Sequence, residues 1–429
     1  MILYLSQDDV DGFLTSGRLM APEAVAQEWE GEAVVHLHLA PPLHGYGLRH
    51  AACFVRQECS WEQVPAGVDY VVRCREQTPA EVFGRTPTGW QALAVQRLPA
   101  RAELYSRSEG LLEVDVLVQK RVMIVGLGSF GSQIALELAK AGVGAFSLWD
   151  FDRLEPHNLA RHTASLQDLG RLKTDILFSA IRGKNPYAVI DRFPFNVADC
   201  LPLMAEEVAK ADLVLCATDN NASRMHLSSA LLEAGTPALF GRAFTRAAGG
   251  DVFRYRPEGP CYCCLIGNDW FAQADEEITH RRDPRIPAYA EDPDAFVQVG
   301  LSADIEPICN LMVKLALVEL SRGTVGALID LDAELPYEYY LWANRREARY
   351  RNWLPFPKAA GKPTILRWYG ARIARDDTCA LCAPVLAELD LGDNLPNFSL
   401  GEVSSLLLPS ERPASKTETP ACGETGFSG

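Results

Sequence analysis

The stretch "RVMIVGLGSFGSQIALELAKAGVGAFSLWDFD", residues 121–152, decides the fold. Its run VMIV (122–125) has the length and apolar content of a buried strand. SFGSQIALELAKAG has helical periodicity, and AFSLWD (145–150) reads as a second strand. Between the first strand and the helix stand Gly126, Gly128 and Gly131 as G-x-G-x-x-G. Glycines permit a tight turn and close approach of backbone to phosphate, and the helix N-terminus offers unpaired N–H groups to an anion. Asp150 ends the second strand, where a carboxylate can accept hydrogen bonds from ribose hydroxyls. The pattern predicts a nucleotide site; the plainer reading is a tight strand–helix turn with glycines for packing alone. A dehydrogenase and an enzyme that attacks ATP can both begin this way.

Strands and helices keep alternating beyond it. LKTDILFSAIRGKNP (172–186) reads as a helix stopped by Pro186. AVIDRFPFNV, ADLVLCATD and PALFGRAF read as strands, with NASRMHLSSALLEAG a helix between the last two. Such alternation implies an α/β protein with a doubly wound, mostly parallel sheet. After Gly300, PICNLMVKLALVELSRG predicts another helix, and TVGALIDLD and EYYLWANR predict strands of an antiparallel extension. Upstream, EAVVHLHLA and VDYVVRC are short strand-like runs between turns, without visible chemistry. The expected division is an accessory α+β domain over 1–100, a nucleotide-binding domain over 101–383, and a flexible tail over 384–429, rich in Ser, Thr, Pro and Gly.

Lys and Arg total 41 against 56 Asp and Glu, a net charge of −15 in 429 residues. That excess of carboxylates argues against nucleic-acid or anionic-membrane partners. No run of 18 apolar residues suggests a membrane span, and the opening MILYLSQDDVDGF lacks a secretory pattern. With 12 cysteines in strand-like runs and C-x-x-C pairs, free thiols and a metal in a reducing cytoplasm fit better than disulfides.

The residues after the glycine loop decide against a dehydrogenase. DFDRLEPHNLARH places Asp150, Asp152, Asn158 and Arg161 in one connection, and GRLKTD adds Lys173. CATDNNASR puts Asp219, Asn220 and Arg224 at the end of another parallel strand, where the ligand crevice of such a sheet lies. A dinucleotide needs no such set, whereas a triphosphate does: Lys and Arg neutralise phosphate charge and an Asp can hold Mg2+. Taken singly, Arg107, Arg161 and Arg224 read as surface cations, Asp152 as a turn former and Lys173 as a solvated helix residue.

In order, ELYSR (103–107), GLGSFGS, DFDRLEPHNLARH, a Lys after a Gly-containing turn, KNP and ATDN resemble the motifs of the ThiF/MoeB/HesA superfamily, relatives of ubiquitin-activating enzymes. The likeness covers roughly residues 103–382. It implies adenylation: the C-terminal carboxylate of a ubiquitin-like or sulfur-carrier protein attacks the α-phosphate of Mg-ATP and pyrophosphate leaves. By the same resemblance, Asp150 binds ribose, Asn158, Arg161 and Lys173 contact phosphates, Asp219 organises Mg2+, and the glycine loop, Asp152 and Asn220 complete the nucleotide site. Arg107 in ELYSR matches the Arg of the family's "ERYSRQ", a phosphate-contacting finger that acts across a homodimer. His162 stands where relatives often carry Gln, and no role is assigned to it.

GPCYCCLIG and DDTCALCAP carry Cys261-x-x-Cys264 and Cys379-x-x-Cys382. Two such pairs can close a tetrahedral structural Zn2+ site; redox-active or merely buried pairs are the plainer reading. The spacing is long for a compact zinc ribbon, but the family joins distant pairs in this way, and LRWYGARIARDDTCALC resembles its second half. Cys263 reads as a non-ligand. Relatives that pass the activated protein onward carry a nucleophilic Cys after the first pair, and no Cys lies between Leu265 and Ile308. Cys309, in an apolar helix, and Cys422, in the tail, are the candidate thioester acceptors, with Cys422 favoured; Cys216 reads as an inert core thiol. The segment 268–296 is expected to cross over the modifier's C-terminal tail.

The leading expectation is therefore an activating enzyme for a ubiquitin-like protein, passing it through a thioester to a conjugating enzyme. The accessory domain and tail resemble the activating enzymes of bacterial ubiquitin-like operons, some of which serve antiviral defence. A sulfur-carrier adenylyltransferase for thiamine or molybdopterin synthesis and a non-catalytic scaffold half of a heterodimer are the alternatives.

Overall fold

The computed structural model describes residues 2–28, 34–39, 48–108, 110–244, 247–267, 300–324, 326, 328–345 and 365–383. The crossing segment 268–296, the tail and Cys422 lie outside them.

The part of the chain after residue 120 is built on eight strands: β10 (Arg121–Val125), β11 (Ala145–Trp149), β12 (Val189–Phe193), β13 (Leu213–Cys216), β14 (Ala238–Ala243), β15 (Gly249–Tyr255), β16 (Tyr339–Ala343) and β17 (Arg367–Ala371). Their spatial order is β12-β11-β10-β13-β14-β15-β16-β17. The first five are mutually parallel and the last three add antiparallel. This is the α/β, mostly parallel, doubly wound sheet that the alternation predicts. All of β10, β11 and β13 is buried, which is why they read as continuous apolar runs: helices cover both faces.

Alternate residues divide between those faces. Val122, Ile124, Phe146 and Leu148 meet α4 (Ser129–Lys140), α5 (Lys173–Arg182) and α9 (Ser302–Leu320). Met123, Val125, Trp149 and Val214 meet α6 (Leu201–Lys210), α7 (Asn221–Ala234) and the short α8 (Tyr262–Ile266). Where β10 begins, Arg121 is buried and donates to Asp191 at 2.7 Å and Glu207 at 2.6 Å. Ser147 and Lys210 also donate to Glu207, so the buried charges are paired and hydrogen-bonded.

Two expectations are corrected. TVGALIDLD does not form a strand: Ile329–Glu334 is a helix, α10. Short apolar runs do not distinguish strand from helix, and here one helical face decides. Leu328 and Leu335 pack on the core, while Asp332 accepts from Arg254 at 3.2 Å and Arg256 at 2.6 Å. The helix expected from Pro307 begins at Ser302, with Pro307 inside it.

Upstream, β1 (Ile2–Ser6) to β9 (Val95–Leu98) form a separate nine-stranded sheet, packed on α1 (Gln7–Thr15). Between the chain's two sheets lie α2 (Arg101–Leu104) and α3 (Val114–Leu117). The N-terminal sheet meets the eight-stranded part where Ser6 Oγ lies 3.3 Å from the Tyr187 hydroxyl and Arg182 meets His36. Among the described residues no helix is long and apolar enough to cross a membrane.

Candidate functional site

The sheet reverses direction of growth at β10: β11 and β12 follow on one side, β13 and β14 on the other. Crevices outside strand C-termini at such a point are where ligands of these sheets bind. Here the crevice is a cavity of about 420 Å³.

Each glycine of the loop has its own reason. Gly126 has φ +85°, and an added Cβ would lie 2.8 Å from the carbonyl oxygen of Ala217, the residue after β13. A Cβ on Gly131 would lie 1.9 Å from the Gly126 carbonyl oxygen, so that glycine lets α4 close on the strand. A Cβ on Gly128 would meet nothing; this residue lines the cavity, leaving its backbone open to a ligand.

Asp150 holds the loop from the next strand. Its Oδ2 accepts the Leu127 N–H at 2.7 Å and its Oδ1 the Asp152 N–H at 2.8 Å. Lys173, the first residue of α5, reaches Asp152 Oδ2 at 2.6 Å and Asp150 Oδ1 at 3.8 Å. Burial pushes the Asp150 carboxyl up, and the Lys173 ammonium opposes that shift. Arg161 and Asp219 also line the crevice. Burial lowers the Arg161 guanidinium, and the Asp219 charge pulls the other way. Asn158 lines the same wall, its Oδ1 accepting the Glu155 N–H at 3.0 Å, which leaves its amide N–H groups to serve a ligand.

Three of the expected residues sit differently. Asn220 borders the cavity, but its Oδ1 caps α7, accepting from Ser223 N and Ser223 Oγ, each at 2.8 Å. Arg224 is buried beneath the turn, donating to Thr218 O at 2.5 Å and Asn221 Oδ1 at 3.0 Å. Arg107 is exposed and does not line the crevice of its own chain.

The fold adds residues that the sequence reading left out. His162 is buried, with Nε2 2.8 Å from Leu127 O and Nδ1 accepting the Ala164 N–H at 3.0 Å. The pairing fixes a neutral tautomer with the proton on Nε2. Ser129 Oγ donates to Arg161 O at 3.1 Å, so both side chains fasten the Arg161 connection to the glycine loop. Arg242, at the end of β14, lines the crevice and pairs with the buried Asp251. A charge ending an otherwise apolar strand was the available signal for Arg242; a single His carries none.

Cys261, Cys264, Cys379 and Cys382 converge, with all four sulfurs within 4.8 Å of one another. Cys261 lies 3.8 Å from Cys264 and 3.6 Å from Cys379, and Cys264 lies 3.4 Å from Cys382. A tetrahedron of metal–sulfur bonds of about 2.3 Å has edges of about 3.8 Å, so the spacing and the donor set both suit a metal such as zinc. Burial pushes the Cys261 and Cys264 thiols up. It raises Cys379 as well, but the backbone of Cys382 and Leu381 draws that thiol down to about 7. A bound cation would offset the mutual repulsion of the thiolates. Cys263 is buried beside them, outside the four. Cys216 is buried and its thiol raised by burial; in Cys309 the same cause pushes the thiol up to about 12.

Part of the chain is similar in sequence to known proteins. The molybdopterin-synthase adenylyltransferase of Escherichia coli K12 is 37% identical over 152 residues, covering 35% of this chain and 60% of that protein. The sulfur carrier protein ThiS adenylyltransferase of the same organism is 32% identical over 152 residues, covering 35% and 59%. The chain thus spans about three-fifths of the length of these relatives. Among solved structures, E. coli MccB with ATP overlaps at a TM-score of 0.44 and 16% identity, over 63% of this chain and 68% of that one. Residues 104–340, more than half of the chain, match the ThiF family, and the protein belongs to it.

Proposed function

We propose that this chain is an enzyme that adenylates the C-terminal carboxylate of a small carrier protein, ubiquitin-like or sulfur-carrying, with ATP. The observation that carries the reading is the convergence of Lys173, Arg161 and Asp219 on the glycine loop at the head of α4. In the reaction, a carboxylate oxygen of the carrier attacks the α-phosphorus. The bond to the oxygen bridging to the β-phosphate breaks, pyrophosphate leaves with that electron pair, and an acyl-adenylate remains. The Gly126–Gly128 backbone and the N-terminus of α4 receive phosphate oxygens. Each Asp150 oxygen accepts one backbone N–H and keeps a lone pair for a ribose hydroxyl. Lys173 exchanges its carboxylate partners for phosphate, while Arg161 and Asn158 take the outer oxygens. Asp219 serves as a Mg2+ ligand; the ion, when bound, neutralises charge building on pyrophosphate. The four cysteines hold a structural Zn2+. Arg107 completes the crevice of a second copy in a homodimer.

A second reading concerns what happens next. Among the described residues, every cysteine outside the four-sulfur cluster is buried. That favours release of the acyl-adenylate to another protein or to sulfur over an enzyme-bound thioester. A thioester relay to a conjugating enzyme rests on Cys422, and a role in a conjugation or antiviral pathway on analogy. The test is exchange of radiolabelled pyrophosphate into ATP by the purified chain with a carrier protein. Exchange that needs the carrier's intact C-terminus is expected; tight NAD binding without ATP binding would overturn the reading.

A further inference from the structure

We propose that Tyr262 is a positioning residue that couples the four-cysteine cluster to the Asp219 turn of the nucleotide crevice. Its functional consequence rests on the adenylation reading; its geometry does not.

Tyr262 lies between Cys261 and Cys264 and is 1% exposed. Its ring stacks on Phe240 at 4.8 Å and meets Phe253 edge-on at 6.3 Å. The hydroxyl donates to Asn221 Oδ1 at 2.9 Å and receives N–H groups from Arg242 at 3.4 Å and Arg224 at 3.5 Å. Arg224 in turn grips Thr218 O at 2.5 Å, on the residue before Asp219. Asn221, Arg224 and Tyr262 are all buried. Each buried polar group is expensive to leave unmade, so the set locks in one arrangement.

Cys261 and Cys264, one residue before and two after Tyr262, belong to the cluster, so a metal held there fixes the backbone from which this side chain projects. The hydroxyl carries that constraint across to the turn between β13 and α7. Phenylalanine would fill the same space between Phe240 and Phe253; only the oxygen reaches the polar set. A tyrosine needed solely for packing would therefore tolerate loss of its oxygen without change at the turn.

The test compares wild type with Tyr262→Phe, which keeps all four thiols. Losing a hydrogen bond worth about 1 kcal/mol predicts about fivefold faster amide exchange in peptides spanning 217–225. Exchange in 126–132 and bound zinc should be unchanged. The KM for Mg-ATP should rise by a similar factor, with the carrier's KM unchanged. Chelating the wild type should loosen 217–225 likewise, and chelating Tyr262→Phe should add little there. Wild-type exchange at 217–225 in the variant, or full loosening of the variant on chelation, would overturn the coupling. If chelation unfolds the chain, the two metal-bound proteins decide by themselves. A wild type with no adenylation would end the activity reading, and exchange would still judge the coupling.

Discussion

Lys173 Nζ lies 2.6 Å from Asp152 Oδ2 and 3.8 Å from Asp150 Oδ1, so two carboxylates hold this cation at the crevice wall. An arriving triphosphate has to draw Lys173 away from them. Lys173→Ala should therefore lower pyrophosphate exchange by about 10²-fold or more, the usual cost of losing one preorganised charge. Lys173→Arg should restore little, because a planar fork does not replace a compact ammonium between two carboxylates.

Asp219→Ala should abolish adenylate formation to a similar degree while leaving the melting temperature nearly unchanged, because Asp219 is exposed at the strand end. Mg2+ titrations of exchange activity should show the loss as a weakened metal dependence. An active variant with wild-type Mg2+ dependence would remove Asp219 from the site.

Removing the metal should cost stability directly, since a bound metal contributes folding energy. Cys379→Ser should lower zinc content and melting temperature together, and Cys263→Ser should lower neither by a comparable amount. A metal-free chain that melts at the wild-type temperature would refute the zinc site.

His162 gives the latch to the glycine loop a pH dependence. Burial, opposed by the Leu127 carbonyl, lowers its imidazole below the ordinary 6.5. The unfolded chain thus binds the proton more readily. This group's contribution is intact above pH 6.5 and is lost as pH falls from there through the lower folded value. Lys173 and Asp168 are the charges acting on it. His36 and His38 are also lowered by burial, so the informative quantity is the difference between wild type and His162→Gln. The gap in melting temperature between them should change across pH 5 to 7 (about the range over which an imidazole titrates); a constant gap would count against the latch.

Arg121 anchors the far end of the sheet. Arg121→Met leaves Asp191 and the fully buried Glu207 without their shared cation, which should cost about 3–5 kcal/mol by denaturant unfolding. ATP affinity per folded molecule should hold, because Arg121 opens β10, at the opposite end of that strand from the glycine loop.

Cys422→Ser should leave pyrophosphate exchange intact, and Cys309→Ala should change stability rather than chemistry. Non-reducing gels of enzyme, carrier and Mg-ATP check the acceptor. A thiol-sensitive adduct lost only in Cys422→Ser would establish the thioester; its absence in the wild type would favour direct release.

The sequence by itself determined the parallel sheet, because strands buried on both faces have to be continuous apolar runs, as in VMIV and AFSLWD. The glycine loop, Asp150 and Lys173 were legible too, since each is bound to a position at a strand or helix end. So were the two cysteine pairs, whose spacing is itself the ligand geometry. Tertiary structure alone decided which groups are occupied by neighbours. Asn220 and Arg224 both border the crevice, but only the fold shows Ser223 at the Asn220 oxygen and Thr218 O at the Arg224 guanidinium. TVGALIDLD has no decisive local period; Arg254, Arg256 and the core beneath Leu328 and Leu335 make part of it helical. His162 and Tyr262 act through hydrogen bonds to residues 35 and 41 positions away in the chain. Local pattern reports a residue's own preference for helix, strand or burial; it carries no information about a distant partner's carbonyl or amide, which only the closed fold brings within hydrogen-bonding distance.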